Sequence, residues 1–196
     1  MNKLFHIFNN YIKGKELERY FSLNDALFAF HEPFRYDYGD DRSIVIIGGS
    51  FLDIILEHLL LAFFPEDNSE IKILFQNNQP LGSFSNKVRI AYSLGLIDEV
   101  IKDDLKIIAK IRHQFAQDLY ASFENQNVGE CCKQLKWHRI SMMSQPPSKA
   151  TVRDYYQVGV NQLIIYLNGA VSIARNQKRI IKNDFQKDLQ NLNILH

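Results

Sequence analysis

In the segment that follows Asp98, apolar residues recur at Ile101, Leu105, Ile108, Phe115 and Leu119, and Arg112 occupies the one gap in that stripe. A guanidinium on a core-facing seam is costly unless it meets a carboxylate and is hydrogen-bonded. Asp53 and Glu57 offer two carboxylates one helical turn apart within an otherwise apolar segment. Two acids and an arginine spaced in this way either never meet or, if they meet, have two uses. They can form a buried ion pair that sets the register of two helices, or a cluster that binds a ligand or moves a proton. The spacing predicts Arg112 to be mostly buried and within hydrogen-bonding reach of Asp53 or Glu57.

A second concentration of charge lies near the C-terminal end, where Arg175, Lys178, Arg179, Lys182 and Lys187 face only Asp184 and Asp188. Lys178 and Lys182 are one turn apart, as are Arg175 and Arg179, so one long helix would carry a basic face. Such a face suits nucleic-acid phosphates, and equally a solvated helix end where cations are favoured. Other signals are thinner. His58 beside Glu57 has no second ligand at metal spacing, and Cys131 and Cys132 with His138 do not match a zinc framework. No phosphate-cradling glycine motif occurs, and Gly48–Gly49 reads as a place of close helix packing. Trp137 and Met142–Met143 read as satellite core or as an exposed binding strip. No cofactor, metal site or catalytic residue is expected.

The elements that must position these groups are helices. Only 9 Gly and 5 Pro occur in 196 residues, too few turn-formers for a barrel or sandwich of short strands. Glu16 to Phe30 has helical periodicity, and the polar segment Arg35 to Asp41 reads as a loop. Ile44 to Phe64 then runs 21 residues, 15 of them apolar, with Asp41 or Ser43 as its cap and Pro65 as its stop. That length would cross a bilayer, but Asp53, Glu57 and His58 near its middle favour a buried central helix. A short helix follows over Ile71 to Gln76, then a turn over Asn77 to Ser83. A helix capped by Ser83 or Ser85 runs to Leu94 and is ended by Gly95. The Arg112 helix runs from near Asp98 to about Phe123. A short cysteine-containing helix and the Pro146–Pro147 linker precede a last long helix, expected over about residues 150–190. The expectation is a single all-α domain over residues 1–196, a helical bundle around an apolar centre.

Net charge is +1, so no global field draws nucleic acid or an anionic membrane to the surface. The only two cysteines are sequence neighbours without a third partner, and Met1 to Asn10 is too broken for the apolar core of a signal peptide. A reducing, cytoplasmic location is therefore expected. With 14 Phe and 9 Tyr, one copy is expected to leave aromatic surface uncovered, which predicts a homodimer.

Several segments together resemble the mannitol operon repressor family: Asp41-Arg42-Ser43 through Glu57, Pro80-Leu81-Gly82-Ser83-Phe84-Ser85, Lys87-Val88-Arg89, Ala91 through Ile97, and Ile108 through Ala116. The likeness runs from about Asp41 to Leu119, with a looser match at Arg153-Asp154-Tyr155-Tyr156. It implies an all-helical fold and a bacterial regulator of sugar-alcohol uptake genes, and it adds Lys87 and Arg89 to the polar cluster of Asp53, Glu57 and Arg112. In that family the Lys87 position usually carries Arg and the Arg89 position often Lys. Members also commonly have Asn after the Arg112 position and His five places beyond it, where this chain has His113 and Gln117.

An Arg followed five residues later by His is also the signature of HEPN-type helical ribonucleases. Gln117 can orient a phosphate but cannot transfer a proton, and His113 points about 100° around the helix from Arg112. No ribonuclease activity is expected. The sequence also lacks a helix-turn-helix signature, which favours a regulator working through a protein partner over direct base readout. A HEPN-like nucleic-acid-binding or degenerate ribonuclease-like bundle is the alternative.

Overall fold

The computed structural model describes residue 34 and residues 39–65, 69–136 and 150–181. Among the described residues there are six α-helices and no strand: α1 Asp41–Phe63, α2 Ser69–Leu74, α3 Phe84–Ser93, α4 Glu99–Gln117, α5 Gln126–Lys133 and α6 Val152–Asn176. The all-α bundle around an apolar central helix is therefore as expected. The helix expected over Glu16 to Phe30 lies outside the described residues.

α1 begins one residue earlier than its sequence cap suggests. Asp40, in extended backbone, accepts hydrogen bonds from Ser43 N at 2.9 Å and Ser43 Oγ at 2.7 Å, which frees Asp41 for tertiary work. The Asp41 carboxylate accepts from Phe123 N at 3.0 Å and pairs with Arg153 at 3.4 Å, tying the α4–α5 connection and α6 to the start of α1. α1 is long and apolar enough to cross a membrane by length and composition, but Ile44, Val45, Leu52, Ile55, Leu56, Leu59 and Leu60 are all fully buried within the bundle.

α6 packs along α1 more extensively than any other helix. The contact depends on Gly48: a Cβ there would stand 2.9 Å from the Phe34 ring and 3.2 Å from the Tyr156 hydroxyl. Without it, fully buried Tyr156 reaches α1 and donates to Val45 O at 3.2 Å. Thr151 and Asp154 form a reciprocal capping box at the start of α6. The helix ends at Asn176, well short of residue 190, because the chain turns back onto α1. Arg179 N donates to Phe63 O at 2.8 Å, and its guanidinium sits over the Phe63 ring at 5.2 Å.

α3 and α4 deliver the remaining polar side chains. Ser83 caps α3 by accepting from Asn86 N, and Gly95 closes it with φ at 72°. Leu96 N reaches Ala91 O and Gly95 N reaches Tyr92 O, both at 2.9 Å, the paired bonds of a Schellman end that needs a residue in the left-handed region. α4 is capped by Asp98 and buries Ile101, Leu105, Ile108 and Phe115. It stops at Gln117 rather than near Phe123. Arg42 from α1 donates to Phe115 O and, at 2.7 Å, to Asp118 O, while the Asp118 carboxylate takes Tyr120 N. These bonds satisfy the last carbonyls and turn the chain. Leu119, expected on the buried stripe, is consequently 84% exposed.

Candidate functional site

The acids of α1 are in place, but their cation comes from a different helix than expected. Lys87 on α3 is 3% exposed, and its Nζ lies 2.8 Å from Glu57 Oε2 and 3.1 Å from Asp53 Oδ1. The directed hydrogen bond goes to Glu57. Asp53 Oδ1 is buried and in ionic contact with the ammonium, yet receives no hydrogen bond of good geometry among the described residues. The two carboxylate side chains keep 26% and 28% of their exposure, so the group is sealed on the lysine side and wet on the acid side. The Phe75 ring closes over the ammonium at 6.0 Å. Arg89, two residues further along α3, projects on the exposed side and takes no part in this cluster among the described residues.

Arg112 does not pair with Asp53 or Glu57, and it is half-buried rather than mostly buried. Lys87 already occupies the acids, and the arginine stem crosses α1 one turn earlier, at Gly49. A Cβ on Gly49 would lie 2.8 Å from Arg112 Cδ and 3.6 Å from its Nε. Among the described residues Arg112 has neither an ion-pair nor a hydrogen-bond partner. It lines a shallow groove of about 310 Å³ together with Ser83, Phe84, Ser85, Ala109, His113 and Ala116. His113, although on a different azimuth of α4, therefore shares a groove with Arg112. Ser83, Ser85 and His113 carried no functional expectation as a group. The capping position of the serines was legible, but the groove forms only where the first turn of α3 meets α4. Gln117, at the end of α4, is exposed and is not among the groove's lining residues.

Electrostatics elsewhere is dominated by burial. The Tyr156 hydroxyl is pushed up by complete burial, against a smaller downward pull from Arg112. Burial raises the Cys132 thiol to about 12, with Cys131 adding to the effect. Burial lowers His58, opposed by Glu57 and assisted by Arg175.

Among the described residues the expected basic positions do not all share the last helix. Lys178 and Arg179 lie beyond the end of α6, Arg179 is engaged with Phe63, and only Arg175 remains on the helix, exposed. Lys182 and Lys187 lie outside the described residues, as do Trp137, His138, Met142 and Met143. Among the described residues no three His, Cys, Asp or Glu side chains are placed to hold a metal ion.

No family model matches this sequence, and no curated protein matches it. Solved structures do share its fold. One is the X-ray structure of the MtlR–HPr complex from Escherichia coli, with a TM-score of 0.52 and 18% identity over 78% of this chain and 98% of that one. Another is a possible transcriptional regulator, YggD, from Shigella flexneri 2a str. 2457T, with a TM-score of 0.52 and 14% identity over 79% of this chain and 99% of that one. The bundle is thus of the same fold as MtlR.

Proposed function

We propose that this chain is a bacterial transcriptional regulator of the mannitol-operon-repressor kind that acts through a protein partner and has no catalytic role. The observation that carries this reading is the likeness in fold to MtlR, which has been seen in complex with HPr, over nearly the whole of that chain. The placement of the described basic residues supports a partner over direct DNA contact: α6 ends before Lys178, and Arg179 is held against Phe63. The chain would be cytoplasmic and organised as one domain, with the Asp53–Glu57–Lys87 group serving to hold α1 against α3.

Calorimetric titration with HPr from the same organism tests the reading. Saturable binding is expected, together with no shift of operator DNA in a gel at either low or high salt. Absence of HPr binding combined with a DNA shift that weakens steeply with salt overturns it, since phosphate contacts release counterions.

One observation favours the HEPN-like alternative, the guanidinium of Arg112 left without a carboxylate among the described residues. RNA cleavage that vanishes in Arg112→Ala while the helical circular dichroism survives would establish it. Self-association belongs to the main reading. Ile165 and Ile173, about two turns apart on α6, are 63% and 60% exposed, and apolar side chains left in solvent suit a two-fold contact with a second copy. A monomeric mass by light scattering at micromolar concentration refutes it.

A further inference from the structure

We infer that the groove between the first turn of α3 and the second half of α4 is a binding site for a small phosphate-bearing anion, with Arg112 as its principal contact. The inference does not depend on the regulator reading. It starts from charge. Every strongly buried cation in a bundle needs a counter-charge, and Lys87 has two within 3.1 Å. Among the described residues Arg112, half-buried on the neighbouring helix, has none, and no acidic side chain lines its groove. The lining offers donors instead: the guanidinium, the imidazole of His113 and the hydroxyls of Ser83 and Ser85.

The donors differ in how they are held. Ser83 Oγ accepts from Asn86 N at 3.3 Å, which leaves its own hydrogen to donate. The Ser85 hydroxyl has no partner among the described residues. Arg112 is steadied along its stem, because its Cδ fills the space that a side chain at Gly49 would take. A guanidinium whose aliphatic part is already packed loses less freedom on binding, and its planar fork matches two oxygens of a phosphate. A volume of about 310 Å³ accommodates a phosphate group with a small organic substituent, and the open side leaves that substituent in water. Phe84, Ala109 and Ala116 supply the apolar walls against which such a substituent would rest.

Thermal unfolding and calorimetry of the full chain with inorganic phosphate and with phenyl phosphate test the site, at ionic strength held constant with sodium chloride. The expected result is a saturable rise in Tm with both phosphates, larger for phenyl phosphate, and loss of that rise in Arg112→Met. Arg89→Met, which changes an exposed cation of α3 outside the groove, should retain it. If Arg112→Met fails to fold, Ser85→Asp decides, because a carboxylate at that exposed first-turn position is compatible with the helix yet repels the anion and captures Arg112. A rise unchanged in either groove variant overturns the inference. So does a rise reproduced by chloride alone, or binding seen with an RNA oligonucleotide and with neither phosphate.

Discussion

Replacing Lys87 by Met isolates what the α1–α3 cluster contributes. Methionine keeps an unbranched stem of similar length, so little packing is lost and the change falls on the charge. The side chain is 4% exposed and sits 2.8 Å from Glu57 and 3.1 Å from Asp53. Its removal leaves two carboxylates one turn apart on α1 without a counter-ion. Breaking a fully buried pair by deleting one partner costs about 3–5 kcal/mol. The carboxylates here retain about a quarter of their exposure, so water recovers part of that loss and about 2–3 kcal/mol is expected. With a urea m-value of about 2–3 kcal/mol per molar for a chain of this size, the unfolding midpoint should fall by about 1 M. Adding Glu57→Gln to Lys87→Met should recover part of the stability, because one of the two stranded charges disappears, and this non-additivity marks a direct contact. Arg89→Met, on the exposed side of the same helix, should move the midpoint by less than about 0.2 M, within the usual effect of a surface substitution. A midpoint for Lys87→Met equal to that of the parent refutes the assignment of Lys87 as the counter-ion.

Arg112→Met should cost less than about 1 kcal/mol by the same urea measurement, because no carboxylate among the described residues is stranded by it, and a loss as large as that of Lys87→Met would contradict the geometry. Two glycines should respond in opposite senses. Gly48→Val should destabilise by about 2 kcal/mol or more through overlap with Phe34 and Tyr156, whereas Gly169→Ala, with nothing within 4 Å of its added Cβ, should stabilise α6 by about 0.5–1 kcal/mol, both read from thermal melts. Cys132, with its thiol raised from 9.0 to about 12, should resist alkylation at pH 8 in the native state and react on denaturation. Because the folded value lies above the unfolded one, its contribution to stability is complete below about pH 9 and is lost as pH rises toward 12. Cys132→Ala should therefore flatten that alkaline loss of stability, and an unchanged alkaline profile would count against it.

The boundaries that could be read from the sequence are those made by near neighbours. The apolar run from Ile44 to Phe64, the Ser83 and Asp98 caps, the left-handed stop at Gly95 and the start of the last helix at Thr151 all depend on residues within about one turn of each other. Capping, periodicity and φ preferences act over that range, so the sequence carries them openly. The spacing of Gly48 and Gly49 in an apolar helix likewise announced close packing, without saying what would approach.

What the tertiary structure alone decided are the pairings between distant segments. Asp53 and Glu57 were visible as acids in need of a cation, but Lys87 and Arg112 were both on offer, and only the approach of α3 to α1 gives them to Lys87. The end of α4 is set by Arg42, 73 positions before the Phe115 whose carbonyl it holds, and the end of α6 by the carbonyl of Phe63. Each of these choices compares free energies of contacts brought together by folding, and the local sequence around Gln117 or Asn176 is as compatible with another turn of helix as with a stop. The groove at Arg112 has the same origin, since its walls come from α3 and α4 and exist only once those helices have packed.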